Sequence, residues 1–175
     1  MMKAMASNTS NGTNLARHIV ALRTLFGVIW AIDAVMKWLP GFRRNLMMDV
    51  MSAGQGQPHW LAWWFDFWMK PMMHHGNLFA YFIAVAESLI ALAVLLGFAR
   101  KLSYIFGAVF SLLIWGVGEG FGGPYMSGAT DIGSAIMYAV VFYALYQLER
   151  AATNAWSLDN TLAKKIVWWQ RIAQP

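Results

Sequence analysis

Cysteine is absent from the 175 residues. Without it the chain has no disulfide, no thiolate nucleophile, no cysteine-ligated iron–sulfur cluster and no thiol–disulfide relay. Charge is scarce as well. Asp, Glu, Lys and Arg make up 12% of the residues, about half the share of an ordinary soluble domain. Acid is the scarcer sign, 8 residues against 13 basic ones, which leaves a formal charge of +5. No nucleic-acid reading motif accompanies that excess, and the basic side chains sit beside apolar runs. Their expected partner is therefore membrane lipid through its anionic head groups, not nucleic acid. No short apolar core with a cleavage site follows the N-terminus, so no cleaved signal peptide is expected.

What is present is mostly apolar. Hydrophobic residues make up 59% and the mean hydropathy is +0.46. Residues 1–14 are polar and rich in Ser, Asn and Thr, which predicts a disordered tail. Four apolar runs follow, at about 19–39, 78–98, 102–117 and 132–148. Each can cross a hydrocarbon core of about 30 Å, the third and fourth at the short limit. Pro40 and Gly41 should end the first run. The short turn at Ala99, Arg100 and Lys101 should make runs two and three an antiparallel hairpin. The fold class expected is all-α: an antiparallel bundle of four transmembrane helices over 15–150 with short interfacial helices. Nine basic residues fall on one side and four on the other. By the positive-inside rule both termini are cytoplasmic, in an inner (cytoplasmic) membrane.

The longer outer loops carry structure of their own. Trp60, Trp63, Trp64, Phe67 and Trp68 recur at helical spacing. They predict an amphipathic helix over 58–70 in the outer interface, with Asp66 pairing to Lys70 and Pro71 stopping it. Leu158, Leu162, Ile166 and Trp169 form a second apolar stripe, opposite Lys164, Lys165 and Arg171. They predict an interfacial helix in the cytoplasmic tail 151–175.

Charges within membrane spans are costly and usually face the bundle. Arg23, Phe26, Trp30, Asp33 and Lys37 are spaced 3, 4, 3 and 4 apart, one continuous stripe. It reads either as packing with snorkelling ends or as the polar wall of a pocket. Asp33 can pair with Lys37. Glu87 shares a face with Ala80, Ala84 and Ala91, and small residues mark close helix contact. It should therefore point inward, toward Arg23 or Lys37; unpartnered, a buried carboxyl stays neutral. Such a group can bind a quinone, relay a proton, or simply join two helices.

Gly116, Gly118, Gly120, Gly122, Gly123 and Pro124 break the helical pattern after the third run. Glu119 and Asp131 bracket this segment, and Thr130 or Asp131 can cap the fourth helix. His74 and His75, with Met72, Met73, Met47, Met48 and Met51, raise copper as an alternative. They do not amount to a ligand set, so no metal site is expected.

Leu22, Arg23, Gly27 and Lys37 resemble the first helix of the DoxX/DoxD family of small four-helix membrane proteins. Glu87, with Leu95, Leu96, Gly97, Phe98, Ala99 and Arg100, resembles its second helix and turn. Gly122, Gly123, Pro124, Gly128, Ala129, Thr130 and Asp131 resemble the loop of its DoxD-like branch. The Trp-rich outer loop departs from the shortest members. The resemblance implies a membrane redox role: a DoxD-type subunit of thiosulfate:quinone oxidoreductase, working with a protein partner subunit and with quinone as cofactor. Taken with the residues, it makes Glu87 and Asp33 the catalytic candidates. Arg23, Lys37, Trp30, Glu119, Asp131 and Tyr138 are the substrate-binding candidates. The alternatives are a non-catalytic scaffold docking a partner enzyme through the Trp-rich helix, and a small-solute or copper-handling protein. Packing through small residues allows a homo-oligomer.

Overall fold

The structure is a computed structural model that describes residues 2–122, 131–151 and 156–175. Every regular element among the described residues is helical. Helix α1 runs Met2–Lys37. It continues back over the segment expected to be a disordered tail, because no proline interrupts it and extending a helix costs far less than nucleating one. Trp38 and Leu39 close its end with bonds to the Val35 and Met36 carbonyls. Pro40 then opens α2, Pro40–Gly54, in the first turn, where its missing N–H costs nothing. This helix lies in what the sequence presents as an outer loop. Its buried residues Leu46, Val50 and Ala53 fall on one face, turned toward the next long helix.

A 3-10 turn, His59–Leu61, leads into α3, Ala62–Leu96. Pro71 does not stop this helix, contrary to expectation. The backbone instead leaves helical geometry at His75 (φ −133°, ψ 33°) and resumes. Pro71 has no N–H for the Phe67 carbonyl. Buried residues on both sides of the break, Phe65 and Met72 before it and Ala80 and Ala84 after it, hold the two arms in place. The expected outer helix and second span are thus the arms of one element.

Gly97 and Ala99 adopt left-handed conformations (φ 60° and 45°) and reverse the chain into α4, Arg100–Val117. Gly97 has no room for a side chain, since a Cβ would lie 2.8 Å from Ser157 and 2.9 Å from the Arg23 guanidinium. Helix α5 runs Ala135–Ala151. Two short helices, α6 (Leu158–Leu162) and α7 (Trp169–Ala173), end the chain.

Helix α1 packs mainly on α3 and α4 mainly on α5; α3 meets α4, and α1 meets α5. The core between them is aromatic: the Phe142 ring lies 4.8 Å from Phe26 and 5.3 Å from Trp30. Three stretches, Gly12–Lys37, His59–Leu96 and Arg100–Val117, are long and apolar enough to cross a membrane. Their outward faces carry Leu25, Ile32, Leu78, Leu89 and Val109, all exposed. Apolar surface on that scale is costly in water and favourable in lipid, which marks a membrane protein.

Candidate functional site

The inward stripe of α1 ends in a charged group. Lys37 donates to Asp33 Oδ1 at 2.9 Å, one helical turn back. Its Nζ also lies 3.6 Å from Glu87 Oε2, on the second arm of α3. Trp38 Nε1 donates to Ser88 Oγ at 3.1 Å, which ties the end of α1 to α3 beside Glu87. The Glu87 side chain is 0% exposed, and Ala80, Ala84 and Ala91 are buried on the same face. Neither Glu87 oxygen accepts a hydrogen bond from a described residue. The Lys37 contact is an ion pair that stops short of one.

A cavity of about 270 Å³ adjoins this group between α2, α3 and α4. Its aromatic wall is Phe42, Trp68, Phe79, Phe82 and Phe110, and its charged members are Lys37, Asp49, Glu87 and Glu119. Trp68 Nε1, like the Glu87 oxygens, is buried with no hydrogen-bond partner among the described residues. An acceptor pair and a donor, both unsatisfied, therefore line the same cavity. Unmet buried groups of this kind are uncommon and call for an explanation, of which a bound water or ligand is one.

Glu119 has a second task. Its carboxylate accepts from Ser134 Oγ at 2.6 Å and from the Ala135 amide at 3.1 and 3.2 Å. Glu119, not Asp131, caps α5. Asp131 accepts from the Gly133 amide at 2.7 Å, is exposed, and does not line the cavity. Residues 123–130, and with them Thr130 as the other expected cap, lie outside the described residues. Ionised Glu119 suits the partial positive charge of a helix N-terminus. Replacing it with alanine should destabilise the protein by about 1 kcal/mol, measured by thermal unfolding in detergent. Unchanged unfolding would remove it as a cap.

The remaining candidates lie elsewhere. Trp30 and Tyr138 meet in the core, ring centroids 5.7 Å apart, and neither lines the cavity. Arg23 does not reach Glu87. It lies at the opposite end of the bundle, 0% exposed, donating to Glu149 Oε1 at 3.0 Å and to the Trp156 carbonyl at 2.6 Å. Glu149 also accepts from Arg100 at 2.7 Å and Tyr104 at 2.9 Å. Arg100 continues to Asp159 Oδ2 at 3.2 Å and Asn160 at 3.1 Å. Asp159 in turn accepts the Ala99 and Arg100 amides at 2.7 and 2.9 Å, capping α4. Two guanidinium and two carboxylate groups make a network with no net charge. The stripe of Leu158, Leu162, Ile166 and Trp169 is half-buried and belongs to a tail folded over the α3–α4 turn, not to a free interfacial helix.

Glu149 was missed, although one signal was available: Phe142, Leu145 and Glu149 follow helical spacing on one buried face. Of the outer aromatic set, Trp60, Trp63 and Phe67 are exposed. Trp64 turns inward and donates to the Gly116 carbonyl at 3.0 Å. Asp66 and Lys70 are both exposed. His74 and His75 are exposed at the bend, ring centroids 6.5 Å apart. No protein-family model, curated protein or solved structure matches the chain.

Proposed function

We propose that this chain is the quinone-binding membrane subunit of an oxidoreductase, of the kind its DoxX/DoxD resemblance suggests. The observation that carries the proposal is the buried Glu87 carboxyl, ion-paired to Lys37 but hydrogen-bonded to no described residue, on the wall of an aromatic cavity inside apolar helices. The cavity is small but near the lower bound of ligand pockets, about 300 Å³. It suits a ring more than a chain. Bound there, a quinone would supply acceptance of two electrons and two protons. Lys37 would donate to a ring oxygen, with Asp33 holding its ammonium in place. Glu87 would hold or pass a proton beside it. Asp49 and Glu119 give the cavity an acidic side, which disfavours an anion such as thiosulfate. Oxidation of the reductant is therefore assigned to a protein partner.

In this reading α5 is the fourth membrane span. Its 17 residues sit at the lower limit of about 17 for crossing. The Arg23 end, with Arg100, Lys101, Arg150, Lys164 and Lys165, faces the cytoplasm of the inner membrane by the positive-inside rule. The test is reduction of a short-chain quinone by the complex purified in mild detergent. Glu87→Gln should lower kcat by about 100-fold or more while the partner still co-purifies. Full activity in that variant would remove Glu87 from the chemistry.

The exposed Trp60, Trp63 and Phe67 favour a second reading, a scaffold that docks a partner on the first arm of α3. Trp63→Ala with Phe67→Ala would then release the partner, and Glu87→Gln would change nothing.

A further inference from the structure

Acidic residues are divided unevenly between the two ends of the bundle. The chain has eight. Asp33, Asp49, Asp66, Glu87, Glu119 and Asp131 lie toward the end where α1 and α4 stop and α5 starts. Glu149 and Asp159 alone lie at the opposite end, and both are buried. Arg23 and Arg100 neutralise them from inside. The network therefore withdraws every acidic side chain from the surface at its end. The cations around it are not withdrawn. Arg17, Arg150, Lys164, Lys165 and Arg171 are exposed and Lys101 is half-buried. No acidic side chain is left there to pair with them.

Large apolar side chains stand among these cations. Val167 is 89% exposed, Trp156 65% and Trp168 58%. None of the three is what fastens the tail by its side chain. That falls to Asp159 and to Trp169, whose Nε1 donates to Asp159 Oδ1 at 3.0 Å and whose ring lies 5.2 Å from Phe98. Helix α7 packs against α4, and the first turns of α4 expose Leu102, Ile105 and Phe106, a face that suits lipid chains. The tail thus sits where hydrocarbon gives way to head groups. Indole rings favour that layer, and Lys and Arg side chains reach from it toward the charged surface. Charge complementarity selects the lipid: clustered cations attract an anionic head group and gain little from a zwitterionic one.

We propose that the C-terminal tail, residues 156–175, is a docking surface for anionic lipid of the surrounding bilayer. Lys164, Lys165 and Arg171 meet the head groups, and Trp156 and Trp168 enter the interface beside them. The buried network serves this surface by hiding the two carboxylates that would repel the lipid. The inference is independent of what fills the cavity at the other end.

The experiment titrates the full-length protein, purified in mild detergent, with phosphatidylglycerol and separately with phosphatidylcholine of the same chains. Bound lipid is read by native mass spectrometry. Each surface cation contributes about fivefold to anionic-lipid binding. Phosphatidylglycerol should therefore bind about tenfold tighter or more, and the preference should shrink as salt is raised. Lys164→Gln, Lys165→Gln and Arg171→Gln together should bring the two lipids within about threefold of each other. Trp156→Ala with Trp168→Ala should weaken both lipids alike, because indole contacts do not read charge. Arg44→Gln with Lys70→Gln removes two exposed cations at the other end and should leave the preference as it is. Equal binding of both lipids by the wild-type protein overturns the proposal and leaves the basic surface to an acidic protein partner. A preference that survives the triple variant overturns it as well, and so does an equal loss in the Arg44 and Lys70 control.

Discussion

Glu149→Ala should destabilise the protein more than any truncation on its lipid-facing surface, by about 3–5 kcal/mol. Glu149 satisfies three donors: Arg23 at 3.0 Å, Arg100 at 2.7 Å and Tyr104 at 2.9 Å. The Arg23 and Arg100 side chains are 0% and 5% exposed, so water cannot replace what the carboxylate gives. Without it Arg100 keeps Asp159, but Arg23 keeps only the Trp156 carbonyl and its charge stands uncompensated. A buried pair contributes little compared with a well-packed apolar pair; an orphaned buried charge costs far more. The same charge count predicts a partial rescue. Arg23→Leu combined with Glu149→Leu leaves the neutral Arg100–Asp159 pair, so the double variant should unfold later than Glu149→Ala. Thermal unfolding in detergent decides both points, with Leu25→Ala, on the outward face, as the control. A Glu149→Ala melt matching that control would mean that the network contributes nothing.

Gly107→Leu should be the second severe change, and it acts through shape alone. Helix α4 meets α5 where Gly107 faces Phe142. A Cβ at position 107 would run into the Phe142 ring. That ring is fully buried and has no empty space to enter, since Phe26 and Trp30 hold its other sides. Removing a glycine from a helix interior ordinarily gains about 1 kcal/mol. Overpacking costs about 1–3 kcal/mol, and a branched side chain falls at or beyond the upper end. The clash therefore outweighs the gain. Gly41→Ala is the contrasting case: nothing lies within 4 Å of its Cβ position in α2, so stability should hold or rise. Phe142→Leu in the Gly107→Leu background should restore part of the loss. If Gly107→Leu melts like wild type, α4 and α5 do not pack as described.

Much of the arrangement was legible in the chain. The inward stripe from Arg23 to Lys37, the Asp33–Lys37 pair and the burial of Glu87 on an alanine face follow from helix geometry. Residues three or four apart share a face wherever the helix sits. The same rule exposes Leu25 and Ile32 to lipid. The rule reaches no further than its own helix. Glu87 could meet Arg23 or Lys37 on equal terms, because both lie on the stripe of α1; only the offset between α1 and α3 selects Lys37.

By itself, then, the sequence determined an apolar, helical, cysteine-free chain with long membrane-compatible stretches and charges turned inward. Composition and periodicity are local and survive any packing. Only the tertiary structure decided which distant charges meet. Arg23 and Glu149 are 126 residues apart in sequence. Asp159 reaches back 59 residues to cap α4, and Glu119 supplies the cap that Asp131 does not. Such contacts depend on how the helices slide and fold back on one another. That register is set by close fits such as Gly97 against Arg23 and Gly107 against Phe142, which no spacing rule within one helix encodes.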